Sequence, residues 1–226
     1  ASDVGIAVSG ATDAARAAAD IVLTSEGLSV IIEAIARARM IFERMRNYCI
    51  FRIASTAHLL FFFFFTMMFV NPMALSKMDT LPPFFSLPAP CLVLIVLLNY
   101  GCILTMPYDK VQPSKRPSVW NMKEVVLIAV LLGFISCASS IGLLIGGLTV
   151  LDPESSLYKH VWAGFFHLPL LSYEELQSAM HLTISLKLFL TLLAARTRGP
   201  FWERRPAKSV MAACAFAFLI STFFAA

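Results

Sequence analysis

The chain has 226 residues, of which 58% are hydrophobic and only 14% charged, where a soluble domain carries about 25% charged residues. With a mean hydropathy of +0.77, this composition excludes an ordinary soluble globule, a disordered tail and a nucleic-acid binder. The formal net charge of +4 comes from 18 basic and 14 acidic residues, and in a membrane chain the placement of the positive residues matters more than their sum.

The chain opens Ala1-Ser2-Asp3 without a methionine and without a charged segment leading into an apolar one, so a fragment or a processed chain is expected. Residues 1–27 differ in kind from the rest. A strand-like run at 4–8, an alanine-rich helical pattern at 12–19 and a second strand run at 20–23 suggest one edge of an α/β sheet. So short a piece cannot bury a core, and it is expected to complete a domain whose body lies upstream. Ser29 is the expected N-cap of a helix over 30–47, with apolar Ile31, Ile32, Ile35, Ile41, Phe42 and Met45 and the i,i+4 pairs Glu33/Arg37 and Arg39/Glu43. No proline or glycine separates it from the first apolar run at 48–70. A continuous helix over 30–70 would be about 60 Å long, twice the hydrocarbon thickness, and would project as a stalk. The alternative is an amphipathic surface helix bent near Asn47.

Four more apolar segments follow, at about 85–107, 125–149, 176–195 and 208–226. Each approaches the roughly 20 residues that a spanning helix needs. Arg37, Arg39, Arg44 and Arg46 precede the first span. Lys110, Lys115, Arg116 and Lys123 follow the second, and Arg196, Arg198, Arg204, Arg205 and Lys208 follow the fourth, whereas the intervening loops carry only Lys77 and Lys159. This asymmetry predicts a cytoplasmic N-terminus, with the C-terminus on the far side. The stretch 161–166, rich in aromatics but too short to span, is expected at the outer interface, and the phenylalanine run 61–65 reads as lipid-facing or packing surface. The five cysteines, Cys49, Cys91, Cys102, Cys137 and Cys214, lie in or beside apolar stretches with no CxxC pair, and read as small buried hydrophobes.

Several segments carry a resemblance. Residues 3–24, DVGIAVSGATDAARAAADIVLT, then GLSVIIEAIARARMIFERMRNY, FRIASTAHL, YDKVQPSKRP with WNM, and ISLKLF with RTRGPFW resemble, in this order, the C-terminal part of P-type ATPases of the plasma-membrane proton-pump group, of the fungal and protist kind. The resemblance implies an all-α multi-spanning membrane bundle of about five transmembrane helices. To this it adds an N-terminal remnant (1–27) of an α/β Rossmann-like, haloacid dehalogenase-like phosphorylation domain, then a cytoplasmic stalk helix (28–47) and a transport domain (48–226). The five spans would be the fifth to ninth of ten helices in an integral, multi-pass protein of the plasma membrane. Its partners would be the lipid bilayer and the upstream part of the same polypeptide. It also implies ATP and Mg2+ for the full-length protein, but the DKTGT, TGES and GDGVND motifs that handle them do not occur here, so this chain alone cannot hydrolyse ATP by that mechanism.

Titratable groups inside hydrocarbon are costly and mark function. None of the fourteen acids falls within a membrane core. The family places its proton-carrying carboxylate halfway along the sixth helix, and the matching position in LVLIVLLNYGCIL is Tyr100. A tyrosine titrates near 10 rather than near 4 and would stay neutral, so it can pass a hydrogen bond but hardly carry charge; simple aromatic packing is the competing reading. Asn99 and Gly101 fit the local unwinding of transporter helices. Arg52 and His58 match basic positions of fungal-type members. Six residues apart, they lie about 9 Å apart along the helix and about 120° around it, with Ser55 between them and able to link both. His58 is the candidate proton handler, or else a satisfied core histidine. Arg52 is a counter-charge or gate, or else snorkels to the headgroups now that the expected acid is replaced. Lys187, inside the fourth span, matches no family ion-binding pattern and is expected to snorkel or face a wet crevice. Arg198 to Trp202 read as an interfacial turn. The expected ion pathway is therefore Arg52, His58, Asn99 and Tyr100, with Ser55 and Gly101 coupling the helices. The function implied is part of an ATP-driven proton exporter. The alternatives are a non-pumping ATPase-like protein or partner that lost the carrier, and a pump for another cation, against which the lack of membrane carboxylates argues.

Overall fold

The structure, a computed structural model, describes residues 3–24, 29–76, 81–113, 120–151, 172–197 and 205–225. The expected interfacial stretch at 161–166 and the turn at 198–202 lie outside the described residues. The chain divides into two units, residues 1–43 with 111–119, and residues 44–110 with 120–226.

In the first unit, β1 (Ile6–Ala7) and β2 (Ile21–Val22) pair in parallel, Ile6 opposite Ile21 and Ala7 opposite Val22. A parallel pair needs a crossover, which here is α1 (Asp13–Ala18). Gly10 makes the turn into it at φ +87°, a conformation that glycine adopts without steric cost. The Thr12 hydroxyl then accepts from the Ala15 amide, and Asp13 sits in the first turn, where a negative charge is favoured. Asp20 closes the unit by accepting the Gly5 amide at 2.8 Å. Among the described residues 3–24, only Ala7 and Leu23 are buried, while Val4, Ile6, Val8, Ile21 and Val22 stay exposed. Two strands with an exposed apolar face are marginal as a sheet by themselves.

The long helix α2 (Ser29–Phe69) begins in this unit and runs 41 residues as one element. The helix is continuous through Asn47, where no proline or glycine interrupts the sequence. Ser29 is its first helical residue rather than the residue before it. The Glu33–Arg37 pair forms at 2.6 Å with both side chains largely exposed, where it adds little stability.

The second unit holds the rest of α2, the short α3 (Pro72–Ser76), α4 (Ala89–Ile103), α5 (Met122–Val150), α6 (Tyr173–Ala195) and α7 (Lys208–Ala225). Five helices are long and apolar enough to cross a membrane, which makes this a mostly helical, multi-pass membrane protein. They match the five expected spans, apart from the second. That helix starts at 89 rather than 85, because Pro88 caps it and Pro90 occupies its first turn. Phe85 and Leu87 are instead buried in the connecting segment. The unwinding expected at Asn99–Gly101 is displaced: α4 continues through Gly101 to Ile103, and the helix tightens into a 3-10 turn at Met106–Tyr108, where Pro107 lacks the amide that would continue it. A capping box opens α6: the Ser172 hydroxyl accepts from the Glu175 amide and the Glu175 carboxylate accepts from the Ser172 amide.

Buried side chains form two clusters. One joins Ile50, Phe51 and Ala54 of α2 to residues of α4–α7, and the other joins Phe62 to Phe85, Cys137, Leu144, Met180 and Ile184. The run 61–65 divides by helix geometry, with Phe62 fully buried and Phe64 exposed. Leu97, Leu131, Leu190, Leu219 and Phe223 point outward, as lipid-facing residues do. All five cysteines are free thiols, Cys102 and Cys137 buried.

At Gly133 of α5 the backbone comes close against α2. A Cβ there would lie 2.8 Å from the Ala54 carbonyl oxygen and 2.9 Å from Ala57 Cβ, so only glycine lets α5 pack on α2. Gly133→Ala should therefore destabilise the full-length protein in detergent by about 1–3 kcal/mol, read as a lower unfolding midpoint. Gly142→Ala, where an added Cβ meets nothing within 4 Å, should leave it unchanged; equal midpoints for the two variants would contradict this packing.

Candidate functional site

Four of the six residues selected from the sequence, Arg52, Ser55, Asn99 and Tyr100, line one groove of about 500 Å3 between α2 and α4, together with Thr56, Leu59 and other apolar side chains. Arg52 does not extend toward a helix end. Its guanidinium lies over the Tyr100 ring, 4.4 Å from the centroid, and donates to the Tyr100 hydroxyl. Tyr100 thus offers the guanidinium a neutral acceptor and a π face, a contact worth about 0.5–2 kcal/mol. Asn99 is 5% exposed, and its Oδ1 is a buried acceptor with no partner. The Ser55 hydroxyl donates to the Arg52 carbonyl oxygen at 3.1 Å, so it supports the helix backbone rather than linking Arg52 to His58. Gly101 is exposed and has open space where a Cβ would stand, so no close approach requires glycine there.

His58 is fully buried on another side of α2, as the 120° offset from Arg52 requires. Its Nε2 lies 3.1 Å from the Ser140 hydroxyl of α5. The Ser140 hydroxyl has a second neighbour, the Ser136 carbonyl oxygen one turn back at 3.0 Å, and a third, the Lys187 ammonium of α6, which donates to it at 3.1 Å. Lys187, only partly buried, thus directs its ammonium to a hydroxyl of α5. One turn on, the Thr191 hydroxyl donates to the Lys187 carbonyl oxygen and lies 3.4 Å from the Ser136 hydroxyl. These groups form a polar ladder across α2, α5 and α6. Sequence reading selected His58 but gave no sign of Ser140, since 82 residues separate them.

A second arrangement escaped the sequence entirely. Asp109 and Arg196, 3% and 2% exposed, form a buried bidentate ion pair: Arg196 Nε donates to Asp109 Oδ2 at 2.7 Å, and Nη2 donates to Oδ1 at 3.0 Å. The Ala207 amide adds a third donor to Asp109, the Arg44 Nε donates to the Asp109 carbonyl oxygen, and the Asn47 amide donates to the Arg196 carbonyl oxygen. Beside them, Arg46 pairs with Glu124 at 3.1 Å. Residues 44–47 of α2, the turn after α4, the start of α5, the end of α6 and the lead into α7 are thus gathered at one end of the bundle. Arg196, counted from sequence among the loop cations, is a structural member of this clasp. Among the described residues, no group of three or more histidine, cysteine or acidic side chains could hold a metal ion.

No family model matches the chain. It is 43% identical over 209 residues to the probable proton ATPase 1A of Leishmania donovani, covering 92% of this chain and 21% of that protein. It is 34% identical over 224 residues to the probable plasma membrane ATPase of Dictyostelium discoideum, covering 97% of this chain and 19% of that protein. The chain thus spans about a fifth of the length of the curated relatives it matches.

The clasp yields a stability test. Arg196→Met leaves Asp109 buried and unpaired, and should cost about 3–5 kcal/mol. The double variant Arg196→Met/Asp109→Leu should recover part of that loss in thermal unfolding of the full-length protein; additive losses would show that the pair is not coupled. Its two members belong to the YDKVQP and RTRGPFW segments on which the resemblance rested, and the chain is a relative of the plasma-membrane proton ATPases, matching a C-terminal segment of the pump.

Proposed function

We propose that the chain is the stalk and the fifth to ninth transmembrane helices of an ATP-driven proton exporter of the plasma membrane, with its N-terminus and its clasped helix ends in the cytoplasm. Residues 1–27 would be the edge of an α/β, haloacid dehalogenase-like phosphorylation domain. The parallel β1–α1–β2 unit with its bare apolar face supports this, since it asks for further strands. Residues 28–47 would be the stalk and 48–226 the transport domain. ATP and Mg2+ would be handled by parts of the polypeptide that this chain does not contain. The sidedness rests on the positive-inside count, to which the clasp adds that Arg44, Arg46, Arg196 and Arg205 lie at one end of the bundle.

The observation that carries the reading is the pairing of an open-sided polar groove with a buried histidine on the same stretch of α2. Arg52, Asn99 and Tyr100 form the groove, and Arg52 repels any cation that would leak back through it. His58, whose Nδ1 is buried and unpartnered, is the side chain on this stretch with a nitrogen able to accept and release a proton. Tyr100 orients the guanidinium and carries no charge itself. A second reading has one observation in its favour: the Tyr100 hydroxyl is engaged by Arg52, as in a scaffold that has lost its carrier and acts as a partner or regulator.

Reconstituting the full-length polypeptide in sealed vesicles and following ATP-dependent acidification separates the two. Native protein and Tyr100→Asp should both acidify, while His58→Gln should lose at least tenfold. Acidification with Tyr100→Asp but not with the native residue would favour the scaffold reading, and none with either would end the pump reading.

A further inference from the structure

The Ser140 hydroxyl has one hydrogen and three polar neighbours, and this count restricts the histidine. Lys187 can only donate to it. The Ser136 carbonyl oxygen can only accept from it. With its hydrogen committed to that carbonyl and a lone pair taken by the ammonium, the hydroxyl offers His58 Nε2 its remaining lone pair, so Nε2 must carry a hydrogen. The neutral imidazole then has its bare lone pair at Nδ1, which is buried and has no partner. Because the two 3.1 Å contacts share one oxygen, the ammonium and Nε2 lie within about 6 Å of each other.

We propose that Lys187 is a positioning residue for proton transfer at His58: through Ser140 it holds the imidazole with Nδ1 as the open proton acceptor, and its charge expels the proton again. The inference rests on the reading of His58 as the proton handler. A proton arriving at Nδ1 gives an imidazolium with hydrogen on both nitrogens. Its departure from Nδ1 restores the Nε2–H form, and no other bond changes. The fixed ammonium raises the free energy of the imidazolium alone, so the proton is held briefly rather than stored. A lysine in hydrocarbon with no acid to neutralise it is a costly feature, and this arrangement gives it a use: it replaces the push that a carboxylate carrier does not need.

The groups around His58 that could compete are few. On α5 the buried Cys137 thiol lies beside Lys187. On α4, Tyr100 is engaged by Arg52, and Arg52 itself stands six residues back on α2 toward the groove. Among the described residues, no acidic side chain lies in α2 after Glu43, in α4 or α7, or in α5 and α6 beyond their first turns.

Nitrogen-15 NMR of histidine-labelled full-length protein, with His58→Gln to assign the signal, reads the arrangement directly. The native protein should show the Nε2–H tautomer, and Ser140→Ala should give a tautomer mixture. Lys187→Met should move the pH at which the His58 signal titrates upward by one to two units, as expected for removing a charge about 6 Å away, and the pH profile of ATP-driven acidification should move with it. Lys187→Arg should restore the native position. A native Nδ1–H tautomer, or a titration that Lys187→Met leaves in place, would overturn the proposal. If Lys187→Met does not fold, the native tautomer and the Ser140→Ala spectrum decide. Native protein that fails to acidify while these spectra hold would overturn the pump reading and not the lysine–histidine arrangement.

Discussion

The bundle depends on one buried ion pair. Asp109 and Arg196 are each nearly inaccessible, and burying two charges is tolerable only when the geometry is close to ideal and the remaining valences are filled. The bidentate contact supplies the first condition. The second is met on the carboxylate by the Ala207 amide and only in part on the guanidinium, where Arg196 Nη1 has no partner. Hydrophobic burial between lipid and helix discriminates weakly, since a leucine is as comfortable against a lipid tail as against another leucine. Charged groups discriminate strongly. The clasp therefore does what apolar packing in a membrane cannot: it specifies which helix ends meet.

The same argument explains the ladder of His58, Ser140, Ser136, Lys187 and Thr191. It lies near where the two apolar clusters meet, and every member except His58 satisfies its neighbours through hydroxyls and carbonyls rather than acids. The groove on the other side of α2 is similar in chemistry. Its cation is stabilised by an aromatic face and a neutral hydroxyl. Two positive side chains are thus accommodated in the spans without a carboxylate.

Much of this was legible in the sequence because hydropathy has a strong period and length signature. The spans could be placed within a few residues, except where Pro88 and Pro90 delayed the start of α4. The N-terminal strand, helix and strand were also legible, although the strands proved to be two residues each. The capping box of Ser172 and Glu175 could have been read from its spacing and was not. The clasp and the ladder could not have been read, because each joins residues 47 to 149 positions apart whose register is set by helix packing. A loop arginine such as Arg196 carries the same sequence signal whether it faces water or a buried aspartate. Lys187 illustrates the converse, since an intramembrane lysine was noticed but its hydroxyl partner depends on how α5 turns toward α6.

Gly133 sets how closely α5 approaches α2. At this point the α5 backbone lies directly against Ala54 and Ala57, with no side chain of α5 between the two helices to act as a bearing. Two helices in such contact cannot slide past each other by rotamer changes, the usual means of shear. A pull transmitted along α2 would carry α5 with it as a single lever, keeping the imidazole and the serine in step. The relative travel must then occur at the looser seam, where the groove separates α2 from α4.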